Sequence, residues 1–206
     1  SFNITTGLYP SPDGVVGVMG YTNDCYPSSG TPINDGNWHY VSVTYDGFGN
    51  LKIFVDGILD NSFSGMTYNT TGQDNYIGVN SNGFYHQLDG LLDNIEYWDK
   101  SLTEQEIQQY MGCSPIGNEN GLLAFWNVEE GTGWNVYDQV GTNHGGINGT
   151  IHWNANTPSQ SCLIGCTSTE SVYVNIIDVN ITQNDTSICF GDSITLNIQG
   201  SSNSSL

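Results

Sequence analysis

The sequence predicts an all-β protein, and its composition supports that prediction in two ways. Glycine accounts for 26 of the 206 residues, and asparagine, serine and threonine separate short apolar runs, a pattern typical of many strands joined by many turns. Hydrophobic residues make up 37% of the chain and aromatic residues 12%, which is enough to fill a core and argues against wholesale disorder. Because one segment alone has clear helical spacing, we expect packed sheets with a single short helix.

A β-hairpin is the clearest element of the first block. Residues 38–45 alternate β-branched, aromatic and polar side chains, residues 51–55 are mostly apolar, and a glycine-rich turn at 46–50 joins them. Two such runs joined by a turn of this length predict a hairpin. Other strands of this block are predicted near residues 15–19, 59–63, 75–79 and 90–98.

The predicted helix begins after Thr103. Thr103 and Glu106 have the spacing of a capping box, in which each side chain bonds to the backbone amide of the other residue. Apolar residues follow at helical spacing, namely Ile107, Tyr110 and Met111. Gly112 is the predicted end of the helix.

Residues 113–162 form a second block with its own order of motifs. The apolar run at 122–126 predicts a buried strand, the loop at 141–146 is rich in glycine and asparagine, and residues 147–153 predict another strand. In a third block, strands are predicted at 171–177 and 188–198.

The charge balance excludes several classes of partner. The chain has 21 acidic residues, two lysines and no arginine, which gives a formal net charge of −19. With almost no cations to neutralise phosphates, we expect it to bind neither nucleic acid nor anionic membrane surfaces. No apolar run approaches the roughly 18 residues that a membrane-spanning helix needs, so no membrane insertion is expected. Divalent cations, neutral glycans and basic proteins are compatible partners.

The carboxylates lack the spacing of a glycoside hydrolase. A retaining enzyme needs two carboxyl groups about 5 Å apart, which alternating positions on one strand provide. Glu129 and Glu130 are adjacent, so in a strand they face opposite sides, and Glu104 and Glu106 lie at the predicted start of the helix. Because a Gly-x-Ser-x-Gly motif is also absent, we predict no enzymatic activity and no catalytic residues.

The five cysteines do not have the spacing of a zinc or redox site. They are Cys25, Cys113, Cys162, Cys166 and Cys189. We pair Cys113 with Cys162 because these two bracket one segment, and the pairing of the other three stays open. Disulfides persist in secreted proteins, so this pair favours an extracellular chain.

A chain of motifs in the first block resembles the laminin-G-like, concanavalin A-like jelly-roll domain. The motifs are GNWHYV at 36–41, YDG at 45–47, LKIFVDG at 51–57, DGLLDNIEYW at 89–98 and LTEQEI at 102–107. The resemblance implies a β-sandwich with one short helix and places the opening strands of the domain before Ser1.

The second block resembles the opening of the same fold. The matching motifs are GLLAFW at 121–126, EGTG at 130–133 and GTNHGG at 141–146. The first block would then contain the later strands of the fold, and the second block would contain its opening strands. We interpret residues 113–162 as an extension that packs back on the first block, fastened by the disulfide. The alternative is an interrupted tandem repeat.

The third block resembles the start of an immunoglobulin-like repeat of large secreted bacterial surface proteins, especially in Bacteroidetes. The predicted organisation is therefore a laminin-G-like jelly roll at 1–112, the extension at 113–162, and a linker strand with a truncated immunoglobulin-like sandwich at 163–206. This resemblance implies a secreted or cell-surface location.

A structural calcium ion is implied by the first resemblance. Asp93 resembles an aspartate that relatives place near a calcium between the first and last strands, and Asp138 and Asn143 would supply oxygens from the facing loop. Calcium prefers several carboxylate and carbonyl oxygens. The alternative is that Asp138 starts an Asx turn and Asp93 caps the local backbone.

Three side chains are predicted to bind the ligand. Trp134 follows a glycine turn, and Tyr85 and His86 lie in a loop before Asp89, where flat rings could stack on a sugar. The alternative is local packing over a sheet edge.

These features predict non-enzymatic recognition outside the cell, with a glycan or glycoprotein as the target in adhesion or polysaccharide capture. A structural spacer within a large adhesin, or an accessory module of a glycan-degrading enzyme, is the alternative.

Overall fold

The computed structural model describes residues 2–6, 13–20, 24–68, 76–78, 88–149 and 152–162, together with the backbone of 179–180 and 199–200. Within these residues the regular structure is mostly β with one short helix, as expected for a jelly-roll-like fold. No helix in these ranges is both long and apolar enough to cross a membrane.

The first five strands form two antiparallel sheets. Strand β1 (Phe2–Thr6) pairs with β2 (Val16–Gly20), while β3 (Val41–Tyr45), β4 (Leu51–Val55) and β5 (Ile58–Phe63) form a three-stranded sheet in that order. The predicted hairpin is therefore confirmed as β3–β4. Strand β1 was not predicted from the sequence.

Two turns set the register of the three-stranded sheet. Between β3 and β4, the Asp46 carboxylate accepts hydrogen bonds from the backbone amides of Phe48 at 2.8 Å and Asn50 at 3.0 Å. Between β4 and β5, Asp56 and Gly57 have φ angles of 51° and 74°. A two-residue turn with positive φ at both positions matches the twist of the strands that it joins.

Strand β4 supplies apolar side chains to two cores. The buried residues of the first core are Val16, Val18, Cys25, Leu51, Ile53 and Val55. Successive side chains of a strand point to opposite faces, so Phe54 lies on the other side of β4. There it packs with Leu102 and with Ile107 of helix α1 (Glu104–Gly112).

The start and end of α1 are as predicted. The Thr103 hydroxyl accepts from the Glu106 amide at 3.2 Å, and the Glu106 carboxylate accepts from the Thr103 amide at 2.7 Å. Lys100 adds an ion pair to Glu106 at 2.8 Å. Ile107 is fully buried, so the helix is held to the sheet by its predicted apolar face.

The second block packs back on the first through strand pairing. Strand β6 (Ile95–Trp98) pairs antiparallel with β7 (Leu122–Trp126). Cys113 and Cys162 form the predicted disulfide. By its contacts the chain divides into a compact unit at 1–161 and a second at 162–206. The three-part division at residues 112 and 162 stays a prediction.

Two predicted strands are wrong in their described parts. Residues 147–149 and 152–153 are irregular, as are residues 76–78. The φ angles of Gly149 and Gly78 are 95° and 79°, which an extended strand does not accommodate. Instead of the strand predicted at 147–153, the chain forms a small hairpin before residue 147, in which β8 (Asn135–Val136) pairs with β9 (Gly145–Gly146).

In the second unit, β10 (Val179–Asn180) pairs antiparallel with β11 (Gln199–Gly200). The strands predicted at 171–177 and 188–198 lie outside the described residues, and so does most of the segment with the immunoglobulin-like resemblance.

Candidate functional site

Asp138 anchors the loop that closes the β8–β9 hairpin. Its side chain is buried, with 6% exposed. One carboxylate oxygen accepts from the amides of Phe125 at 3.1 Å and Val140 at 2.9 Å. The other accepts from both the backbone and the side-chain amide of Asn143, at 3.1 and 3.2 Å. Burial raises the pKa of Asp138, but hydrogen bonds from backbone amides lower it further, so the net pKa lies below its usual range.

Further contacts fix the same loop from both sides. The Asp138 amide donates to His144 Nδ1 at 3.1 Å, and the indole of Trp126 donates to the Asn143 carbonyl at 2.9 Å. The His144 ring lies edge-on to Tyr137 with centroids 5.2 Å apart. The loop at 138–144 is therefore tied to β7 and to the hairpin by hydrogen bonds within the chain.

The hydrogen bonds that Asp138 already accepts do not favour a cation at this carboxylate. Hydrogen atoms of amides already point at both carboxylate oxygens, and a calcium ion would have to replace them. Asp138 and Asn143 are brought together as predicted, whereas Asp93 lines a cleft that includes neither of them. In the described ranges, no group of three or more His, Cys, Asp or Glu residues could hold a metal. The local Asx turn expected as the alternative is present, and calcium binding stays a prediction.

Exposed and partly exposed aromatic residues lie on and beside the hairpin. Trp134 is 66% exposed and Tyr137 is 50% exposed. The Trp134 carbonyl accepts from the Ile147 amide at 2.9 Å, and the half-buried Trp153 donates its indole N–H to the Gly133 carbonyl at 3.4 Å. We call Trp134, Tyr137, His144 and Trp153 the aromatic surface.

The ligand-binding role of Trp134, Tyr85 and His86 stays a prediction. Trp134 has the exposure that a stacking platform requires. Tyr85 and His86 lie outside the described residues. The other members of the aromatic surface were not predicted, although Tyr137 shortly precedes the glycine-rich loop at 141–146 and His144 lies within it.

A polar cleft of about 360 Å³ opens beside the end of β7. Its lining includes Asp93, Asn94, Asn127, Glu129, Thr157 and Gln160. The Asp93 carboxylate accepts from the Asn94 amide at 3.0 Å. Burial and the nearby Glu129 charge raise the pKa of Asp93, while the Asn94 amide lowers it, with a net rise.

Glu96 is a third unusual carboxyl group, and its side chain is partly buried against Trp98 and Tyr40. One oxygen accepts from the Trp98 indole at 3.0 Å and the Tyr40 hydroxyl at 3.3 Å. The other is buried and has no hydrogen-bond partner among the described residues. Burial raises the pKa of Glu96 to about 7, with a smaller rise from Glu119, against lowering by Trp98 and Tyr40. Glu96 does not line the polar cleft.

His39 lies between two carboxylate groups. Its ring nitrogens lie 2.8 Å from Asp56 and 3.0 Å from Asp35. Hydrogen bonding to Asp56 raises the pKa of His39, partial burial lowers it, and the bond to Asp35 raises it, with a net rise.

Comparisons with known proteins give a match for the first block alone. No curated protein and no solved structure matches the chain significantly. Residues 7–108 match the laminin-G family model of the concanavalin A-like lectin/glucanases superfamily, which confirms the resemblance predicted for this segment.

Proposed function

We propose that this chain is a non-enzymatic extracellular recognition module that binds a neutral glycan or a glycoprotein, in adhesion or in polysaccharide capture. The superfamily match at 7–108 supports carbohydrate binding. The aromatic surface lies outside the matched residues, so its role rests on its geometry.

The exposure of Trp134 carries the proposal. An indole that is 66% exposed leaves a large apolar face in water, and such a face gains free energy when a sugar ring covers it. The Asp138 contacts hold the hairpin next to Trp134, so its backbone does not have to become ordered when a ligand binds. Preorganisation of this kind lowers the entropic cost of association.

Charge sets the class of ligand. A formal net charge of −19 repels acidic polysaccharides at low ionic strength, so we expect uncharged sugars to bind and uronic acid polymers to be excluded. Acceptors near the aromatic surface, such as the amide side chains of Asn135 and Asn143, complement sugar hydroxyl groups.

A glycan array with matched variants tests the proposal. We expect the native chain to bind a defined set of neutral glycans and Trp134→Ala to lose at least tenfold in affinity. Phe48→Ala is the control, since Phe48 is a 93% exposed aromatic residue at the β3–β4 turn. It should bind like the native chain.

The outcomes separate the alternatives. If neither the native chain nor any variant binds while circular dichroism shows a folded protein, the spacer role replaces recognition. Each array is run with calcium and then with EDTA. Loss of binding in EDTA would support the predicted structural calcium, and equal binding would count against it.

We also infer that residues 163–206 begin an immunoglobulin-like sandwich and that the protein works outside the cell. The resemblance of this segment and the Cys113–Cys162 disulfide support these two points, since disulfides persist in oxidising compartments. Peptide mapping of the protein from its native source without reduction should recover Cys113 and Cys162 as one linked pair. Recovery of both as free thiols would contradict the extracellular location.

A further inference from the structure

We propose that the polar cleft at the end of β7 is a sugar subsite, which binds one uncharged, hydroxyl-bearing unit of a glycan whose neighbouring units lie on the aromatic surface. This inference rests on the proposed glycan-binding function. The cleft is then a second contact site for the glycan, and its charges select against acidic sugars.

The lining of the cleft fits a polyol. A volume of about 360 Å³ lies within the range of small-ligand sites, about 300–1,000 Å³. The carboxylates of Asp93 and Glu129 accept hydrogen bonds only, whereas the side chains of Asn94, Asn127 and Gln160 both donate and accept. Neighbouring hydroxyl groups of a sugar can satisfy both kinds of partner at once.

The walls of the cleft are held by regular structure. Asp93 and Asn94 directly precede β6, Asn127 directly follows β7, and the two strands pair at Ile95 and Trp126. Gln139 donates to the Asn127 side chain at 3.3 Å. On the far wall, the Ser114 amide donates to Gln160 at 3.3 Å, one residue away from the disulfide at Cys113.

Two residues at or next to the cleft lining have a left-handed backbone conformation. Asn94 has φ 47° and Val128 has φ 55°. Asparagine tolerates this conformation, but a β-branched residue rarely adopts it. The chain therefore maintains an unfavourable backbone conformation between Asn127 and Glu129, and this conformation places both of them on the cleft.

Two chain segments join the cleft to the aromatic surface. Glu129 precedes Trp134 by five residues, and Trp153 precedes Thr157 by four. At a maximum of about 3.6 Å per residue, the first pair of Cα atoms lies within about 18 Å and the second within about 14 Å. A glycan of a few units can therefore reach both.

The charges of the cleft select against acidic sugars. Asp93 and Glu129 lie close enough for their charges to interact, the chain has no arginine, and Lys100 pairs with Glu106. A uronic acid unit would add a third negative charge, and its desolvation would not be compensated. An uncharged unit carries no such cost.

Titration calorimetry with two ligand series tests the inference. The probes are neutral gluco-, manno- and xylo-oligosaccharides of two to six units and oligogalacturonides of the same lengths. For the best neutral hexamer we expect Asn127→Ala to weaken binding about tenfold. Glu129→Gln should keep neutral binding within twofold and let the oligogalacturonides bind measurably. Glu104→Gln is the control, because it removes one exposed charge that does not line the cleft and should change neither series.

The results distinguish this inference from the proposed function. If Trp134→Ala abolishes binding of the neutral hexamer while both cleft variants behave like the native chain, the subsite is refuted and the function stands. If no neutral oligosaccharide binds the folded native chain, the function fails and the subsite with it. Should Asn127→Ala not fold, the exposed Glu129→Gln change still decides the charge selection.

Discussion

Asp138 shows how one side chain can join two distant parts of the chain. Its carboxylate binds the amide of Phe125, thirteen residues earlier, and the amides of Val140 and Asn143 in its own loop. Loop spacing predicted that Asp138 and Asn143 would meet. The contact with Phe125 could not be predicted, because it depends on how β7 approaches the hairpin in three dimensions.

Asp138→Ala should destabilise the first unit by about 3 kcal/mol, because several amides near a buried carboxylate would lose their acceptor. The free energy of unfolding from urea titration gives the value. Asp46→Ala is the comparison, since Asp46 binds the amides of Phe48 and Asn50 in an exposed turn. An equal loss from the two changes would contradict the anchoring role of Asp138.

Glu96 makes stability depend on pH in an unusual direction for a carboxyl group. Its pKa is raised from 4.5 to about 7, so the folded state holds this proton after the unfolded state has lost it. The contribution of Glu96 to stability is therefore full below pH 4.5 and is lost as the pH rises through 7. The raised pKa of His39 acts in the same direction, because its contribution is full below the unfolded pKa and is lost as the pH rises through the folded pKa.

Glu96→Gln should flatten this dependence and stabilise the protein at pH 8 by up to about 3 kcal/mol, since a shift of one pKa unit corresponds to about 1.4 kcal/mol. Urea midpoints between pH 4 and pH 9 test it, with Glu104→Gln as the control. A variant that is less stable than the native chain at pH 8, with the same pH profile, would show that the Trp98 and Tyr40 contacts outweigh burial.

The helices and strands that were predicted correctly are those whose formation depends on residues close together in the sequence. The capping box at Thr103 and Glu106, the hairpin at 38–55 and the strand at 122–126 depend on neighbouring residues, and all three were found. The strand predicted at 147–153 was wrong because Gly149 turns the backbone at φ 95°. The left-handed conformation of Val128 left no signal, since valine rarely adopts it and nothing in its neighbours indicates it.

The disulfide stabilises the extension at 113–162, which the pairing of β6 with β7 alone would stabilise only weakly. Strands β6 and β7 form a two-stranded sheet, and isolated pairs of this kind are marginally stable. The double change Cys113→Ser and Cys162→Ser should cost about 4 kcal/mol by loop entropy, for a loop of about 50 residues. Urea unfolding of the native chain with and without reductant offers the same comparison. An unchanged midpoint would show that the extension is held without the bridge.

At the scale of the whole molecule, composition limits the ligand more than the fold does. The superfamily match supports a carbohydrate ligand but leaves its class open, because one fold carries many functions. Twenty-one acidic residues against two lysines argue against polyanions, and the exposed Trp134 favours a ring that can stack. The polar cleft could not be predicted, because its lining comes from residues near 93, 114, 125–129 and 157–160, separate parts of the chain that only the fold brings together.

The most direct test of carbohydrate recognition is the affinity of the native chain and of Trp134→Ala for neutral oligosaccharides, with folding checked by circular dichroism. Recognition through the aromatic surface predicts saturable binding by the native chain, at least tenfold weaker binding by Trp134→Ala, and no change in Phe48→Ala. Equal binding by all three, or no binding by the folded native chain, would contradict it.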